Sequence, residues 1–175
     1  MNTRLADYHD CETLPGGQRL RLRAIRPEDS DRLREEFLKL SKATVRDRFF
    51  AIKQDLTPAE LDYLTRVDFE HHVALVAELE TDTGLCPVAV GRLVRRSERP
   101  DHSEIAITVA DDMQGKGIGK VMLDRLIGCA REIGVSRVDA SVLAENTRML
   151  KLIRKTGLAL ESSLEDGIRT ISVSL

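Results

Sequence analysis

The chain has 175 residues, 42% of them hydrophobic and 32% charged, and the charges nearly cancel to a net −2 at neutral pH. That length suits one domain of ordinary size, and the near-neutral balance argues against an electrostatic nucleic-acid binder, which carries a basic excess. No apolar run approaches the roughly 20 residues of a membrane-spanning helix, and the N-terminal MNTRLADYHDCETLPGG lacks the apolar core of a secretory signal.

The three cysteines, Cys11, Cys86 and Cys129, are widely spaced, with no CxxC and no Cys/His pairing at metal spacing. A reducing, cytoplasmic compartment and no bound metal are therefore expected. Aromatic residues make up only 3%, with no tryptophan, so the core must be built from Leu, Ile, Val and Ala.

Residues 1–18 are polar, carry Pro15-Gly16-Gly17, and read as a loose arm ahead of a domain over 19–175. QRLRLRAI (18–25) alternates, with Leu20, Leu22 and Ala24 on one face, as a half-buried strand does. Pro27 opens an amphipathic helix in which Leu33, Phe37 and Leu40 fall at helical spacing. A short helical piece over 42–50 ends in Phe49-Phe50. Thr57-Pro58-Ala59-Glu60 then has capping-box spacing with proline at the first helical position, which predicts a two-turn helix to Arg66.

Strands follow. HVALVAEL (72–79) and PVAVGRLVRR (87–96) flank the turn-rich Thr81-Asp82-Thr83-Gly84 and predict a hairpin. SEIAITVA (103–110) is another strand. A glycine-rich loop leads into a long helix over 117–133, then a strand (135–143), a helix (146–156) and a last strand in RTISVSL. The order β-αα(α)-βββ-α-β-α-β predicts a mixed α/β domain around one central sheet.

The loop MQGKGIGK (113–120) is the most informative stretch. A P-loop is excluded because Val121, not Ser or Thr, follows Gly119-Lys120, and no glycine stands five residues before Gly119. A dinucleotide fingerprint is excluded because Gly115, Gly117 and Gly119 are spaced two and two. What remains is a glycine loop between a strand and a helix. Glycines let backbone N–H groups approach an anion, and a helix N-terminus favours a phosphate by about 0.3–2 kcal/mol. The competing reading is a turn that merely reverses the chain.

Gln114-Gly115-Lys116-Gly117-Ile118-Gly119 resembles the Q/R-x-x-G-x-G/A signature of the GNAT superfamily of acyl-CoA-dependent N-acyltransferases. ITVADDM resembles that family's fourth strand and following turn, and ENTRMLKLIRKTGL its second motif. AIRPEDSDRLREEFLKLS, RDRFF and LTRVDFEHHVALVAE are similar to the catalytic domain of bacterial Pat-type protein lysine acetyltransferases. In that group a regulatory domain is often attached; this chain would be the catalytic unit alone.

The resemblance implies a mostly antiparallel mixed sheet flanked by helices, with a splayed strand pair for acyl-CoA. It implies acetyl-CoA as co-substrate, its pantetheine arm along the backbone of Ile107, Thr108 and Val109. Gln114, Gly115, Lys116, Gly117, Ile118, Gly119 and Lys120 would surround the pyrophosphate, which the backbone N–H groups of Gly115 to Lys120 would hold. Asn146 would contact the CoA arm; it is also a good helix N-cap, and both roles are compatible. Glu104 matches the fourth-strand glutamate that serves as general base. Its alternative is an exposed strand-edge carboxylate. The tyrosine that many members use to protonate the leaving thiolate is replaced by Ile153, and neither Tyr8 nor Tyr63 fits that place.

A base is worth having. A lysine amine with a pKa near 10.4 lies about three units above pH 7.4, a shortfall of about 4 kcal/mol in the attacking neutral form. The implied acceptor is a protein lysine, with a small-molecule amine as the second reading and a non-catalytic acetyl-CoA sensor as a third. No nucleic-acid or membrane partner is expected, and the chain would act as a monomer or homodimer. His71, His72 and His102 lack partner spacing for a metal or dyad, and Asp111-Asp112 reads as a turn. Cys129 lies on the apolar stripe Ile118, Met122, Leu126, Cys129, Ile133 and reads as core. Arg46 and Arg48 read as a solvated helix face, or as contacts to CoA or an acidic acceptor.

Overall fold

A computed structural model describes residues 3–175. In chain order it contains α1 (Thr3–Ala6), β1 (His9–Thr13), β2 (Arg19–Ala24), α2 (Ser30–Lys39), α3 (Lys42–Phe49), α4 (Pro58–Thr65), β3 (His72–Thr81), β4 (Gly84–Arg96), β5 (Arg99–Val109), α5 (Ile118–Glu132), β6 (Arg137–Leu143), α6 (Thr147–Arg154), β7 (Leu160–Glu165) and β8 (Ile168–Ser174). The strands form one eight-stranded sheet in the order β1-β2-β3-β4-β5-β6-β8-β7. Every pair is antiparallel except β5 with β6.

Strand alternation divides the side chains between two layers. Leu20, Leu22, Val73, Leu75, Leu93 and Ile105 meet α5 in the main core. Ile25, Ala74 and Val76 face the other way, toward α2–α4, which carry their own cluster of Phe37, Val45, Leu56, Leu61 and Leu64. Covered on both faces, β3 is buried continuously from His72 to Leu79. The capping box of α4 forms: Thr57 Oγ1 accepts from the Glu60 N–H at 3.3 Å, and Glu60 Oε2 accepts from the Thr57 N–H at 2.9 Å.

Gly91 lets α5 lie close on β4. A Cβ there would stand 2.7 Å from Met122 Cγ and Leu126 Cδ1. Gly91→Val should therefore destabilise the chain by about 1–3 kcal/mol through overpacking. Gly128, on the outer face of the same helix with open space beside it, tests the opposite sign. Gly128→Ala should stabilise by about 0.4–1 kcal/mol. Denaturant midpoints measure both.

Two elements differ from the sequence expectation. The N-terminal segment is not a loose arm: β1 pairs with β2 from His9↔Arg23 to Thr13↔Arg19, and Leu5 and Leu14 are buried in the main core. (Residues 1 and 2 of that segment lie outside the described residues.) HDCET has no apolar alternation because β1 is an edge strand whose Asp10 and Glu12 are held by Arg125 of α5, at 2.5 and 2.8 Å. The C-terminal stretch contains two strands rather than one. β7 is exposed along its whole length and turns into β8 through Asp166-Gly167, both at positive φ, the backbone of a tight hairpin.

Candidate active site

The parallel pairing of β5 with β6 is short. It covers only His102↔Arg137, Ser103↔Val138 and Glu104↔Asp139. Beyond that point β5 stays with β4 as far as Val109, and β6 stays with β8 as far as Leu143. The two strands part like a fork. The inner edges of Ile105–Val109 and Ala140–Leu143 have no strand between them. Such an edge offers backbone N–H and C=O groups to an extended, amide-bearing ligand.

Glu104 stands at the vertex. It belongs to the last pair before the strands diverge, opposite Asp139 and on the same face of the sheet. Glu104 is exposed, whereas Asp139 is buried and accepts a hydrogen bond from Ser172 Oγ at 2.5 Å, with Arg96 Nε at 3.3 Å. His102 lies one alternate position below, its Nδ1 3.8 Å from Asp139.

The glycine loop closes the open end of the fork. After β5 the chain makes a turn over Asp111–Met113, and α5 begins at Ile118. Gly115 (φ 79°) and Gly117 (φ 93°) take the left-handed conformation that side chains disfavour. Gly119 comes close to α6, where a Cβ would lie 3.3 Å from Leu152 Cδ2. The Lys120 N–H donates to Gly117 O at 3.0 Å, while among the described residues the N–H groups of Gly115–Gly119 donate to no backbone carbonyl. Five donors without a backbone acceptor at a helix N-terminus are groups of the kind that an anion can satisfy. The Lys120 ammonium is paired with Asp124 at 2.5 Å.

A family model described as an acetyltransferase (GNAT) domain matches residues 19–159. The chain belongs to the GNAT acetyltransferase family. It is 36% identical over 142 residues to acetyltransferase Pat of Mycolicibacterium smegmatis, covering 81% of this chain and 41% of that protein. It is 32% identical over 163 residues to an acetyltransferase of Pseudomonas aeruginosa, covering 93% of this chain and 87% of that one. The crystal structure of the GNAT domain of S. lividans PAT is 29% identical and superposes with a TM-score of 0.86, over 95% of this chain and 97% of that domain. The present chain thus spans less than half of the mycobacterial relative's length.

Around the GNAT fork the sequence-predicted residues come together on its two banks. Ile107, Thr108 and Val109 line the β5 bank, and Gln114–Lys120 follow directly. Asn146 lies across the gap, just past β6, its N–H donating to Leu143 O at 2.9 Å. Its Oδ1 accepts from the Met149 N–H at 3.0 Å, the N-cap of α6. Gln114 braces the loop. Its amide donates to Val109 O at 3.1 Å and Thr44 Oγ1 at 3.2 Å, and Arg148 donates to its Oε1.

Asp111 is explained by the same bracing. Its carboxylate accepts from the Ser41 N–H (2.8 Å), Ser41 Oγ (2.7 Å) and Thr44 Oγ1 (2.7 Å), tying the start of α3 to the loop. Ile153 is buried in the main core, and Cys129 is buried there too, its thiol pushed up to about 12 by desolvation. Tyr63 instead lies against His72, with ring centroids 4.9 Å apart and the planes tilted by 38°, on the α2–α4 face.

That face holds a cavity of ≈600 Å³ between α2–α4 and the sheet, reaching Thr108 on the same side of β5 as Glu104. Its walls include Phe37, Phe49, Leu64, Val76 and Val90, together with Arg48 and Arg92. Sequence reasoning noted Arg48 but missed Arg92. The signal was a single arginine inside the apolar run VAVGRLV, at an inward position of the alternation.

Proposed function

We propose that the chain transfers the acetyl group of acetyl-CoA to a lysine side chain of a protein, by direct attack in a ternary complex. The observation that carries this reading is Glu104 at the vertex of a fork whose other end is an anion cradle. The cradle suits a pyrophosphate, and the fork's bare edges suit the amides of a pantetheine arm, with Asn146 on the far bank. The thioester would then lie toward the vertex.

In the reaction Glu104 takes a proton from the acceptor ammonium, directly or through a water, and the neutral amine so formed attacks the thioester carbonyl. The C–S bond breaks, and the CoA thiolate leaves and takes up the nitrogen's second proton by way of solvent. A thiolate is a fair leaving group, so the apolar Ile153 at the usual tyrosine position is tolerable. Preorganised N–H donors and a positioned carboxylate are what the chain itself contributes.

A polypeptide acceptor is favoured by the resemblance to Pat-type enzymes and by the surface beside Glu104. On that face Ser141, Thr170, Ser163 and Glu161 are partly or fully exposed on β6, β8 and β7. They form an open polar ledge rather than a closed pocket. Among the described residues no helix is long and apolar enough to cross a membrane, and Cys11 and Cys86 are exposed free thiols. Both suit the reducing cytoplasm.

Thiol release from acetyl-CoA tests the acceptor class, with lysine-containing polypeptides and small amines in separate reactions. Release with polypeptide alone is expected. Release with small amines alone would reassign the acceptor, and binding of acetyl-CoA without release by any acceptor would make the domain a sensor.

A further inference from the structure

Four arginines line the cavity between α2–α4 and the sheet, and two of them are spoken for. Arg23 pairs with Asp29 at 2.7 Å and Glu78 at 3.1 Å, and Arg32 with Glu78 at 3.3 Å. Arg48 and Arg92 are different. Arg92 is 4% exposed, yet its hydrogen-bond partners among the described residues are both neutral, His72 Nε2 at 3.1 Å and Leu64 O at 3.4 Å. Burial, and then the Arg92 charge, push the His72 imidazole down to about 4, so it is an uncharged acceptor at neutral pH.

Arg48 has no ion-pair partner within 4 Å among the described residues; its guanidinium leans on the neighbouring Phe49 ring at 5.0 Å. Burial pushes both guanidinium groups down; the Arg48 charge lowers Arg92 further, while the Glu104 charge partly offsets the effect of burial on Arg48. A buried arginine stays cationic, and burying it without an anion is strongly unfavourable. Arg92 is such a group, and the half-buried Arg48 faces the same apolar chamber, which reaches Thr108.

We propose that Arg48 and Arg92 bind a carboxylate of the acceptor, so that the substrate is an amine carrying an anionic group at the end of an apolar stem. The guanidinium fork matches a carboxylate in shape and charge. Phe37, Phe49, Leu64 and Val90 hold the stem, while the amine points along β5 toward Glu104. The carboxylate has two sources: a free amino acid, or an acidic side chain next to the acceptor lysine of a polypeptide. The inference rests on the acetyl-transfer reading, but its binding step is testable without turnover.

The full chain is assayed with acetyl-CoA and paired acceptors. One arm compares ε-aminocaproate with its amide. The other compares capped peptides whose lysine adjoins glutamate or glutamine. In at least one arm kcat/KM should favour the acid by about tenfold or more, the worth of a charge-assisted pair. The arm that responds identifies the source. Arg92→Met and Arg48→Met should cut that ratio to below about twofold, with KM for acetyl-CoA unchanged, while the thermal midpoint holds or rises as an unpaired buried cation is replaced by an apolar side chain.

Caproate, which has stem and carboxylate but no amine, gives the second readout. It should raise the thermal midpoint of the wild type and not of Arg92→Met, and caproamide should raise neither. A ratio near one in both arms, with no caproate shift, overturns the proposal and leaves acetyl transfer standing. A rise in KM for acetyl-CoA with the acid preference intact overturns it too, by giving the arginines to the cofactor. If no acceptor releases CoA, a caproate shift lost in Arg92→Met upholds the anion site although the transfer reading fails, and no shift removes both.

Discussion

Glu104→Gln is expected to lower kcat by about 10²- to 10⁴-fold at neutral pH, the usual contribution of a positioned base. Glutamine keeps the size and the hydrogen-bonding reach but cannot take a proton. The acceptor must then lose its proton to solvent before attack. Below the amine pKa near 10.4 the neutral fraction grows about tenfold per pH unit, so the variant's rate should climb steeply with pH while the deficit against wild type narrows. KM for acetyl-CoA should not move, because the anion cradle lies at the other end of β5. The thermal midpoint should hold, since Glu104 is exposed and makes no ion pair among the described residues. A deficit under about threefold at pH 8 would take the base role away from Glu104.

Gly117→Val is expected to raise KM for acetyl-CoA by about a hundredfold or more and to leave the fold intact. Gly117 is the N-cap of α5 at φ 93°, a conformation a β-branched side chain essentially refuses. Holding it there costs about 1–2 kcal/mol. Relaxing it turns the neighbouring N–H groups away from the anion, at about 1.5–3 kcal/mol for each charge-assisted bond lost. The residue is exposed and its nearest added contact would be Pro15 Cδ at 3.7 Å, so the core is not disturbed. The loss should fall on KM, with kcat at saturating acetyl-CoA little changed. An unaltered KM would place the pyrophosphate elsewhere.

The contrast between these two sites and the rest of the molecule follows from what a local pattern can encode. The position of the glycine loop between a strand and a helix was legible because the three sit next to one another in the chain, whereas the role proposed for Glu104 entered through the family resemblance. The edge strands β1 and β7 were not legible. HDCET and LESSLE carry no apolar alternation, since neither strand has a face in the core to satisfy. Asp166-Gly167 was the one local sign of the second hairpin.

The fork itself is a non-local fact. Nothing in SEIAITVA or VSRVDASVL says that their pairing stops after Glu104↔Asp139, and it entered only as an implication of the family resemblance. Asp111 illustrates the same limit. As a residue type beside Asp112 it suggested only a turn, and its three hydrogen bonds to Ser41 and Thr44 reach about 70 positions back along the chain. Arg92 was half legible. Alternation pointed it inward, but only the packing of α3 and α4 over it reveals that no carboxylate waits there.

The most direct test of the site is a crystal structure of the chain with CoA bound. The pyrophosphate oxygens should lie within about 2.7–3.2 Å of the N–H groups of Gly115–Gly119, with the pantetheine amides between β5 and β6 and the sulfur toward Glu104. CoA lodged instead in the arginine-lined cavity under α2–α4, with the fork and the glycine loop bare, would contradict the site and the mechanism together.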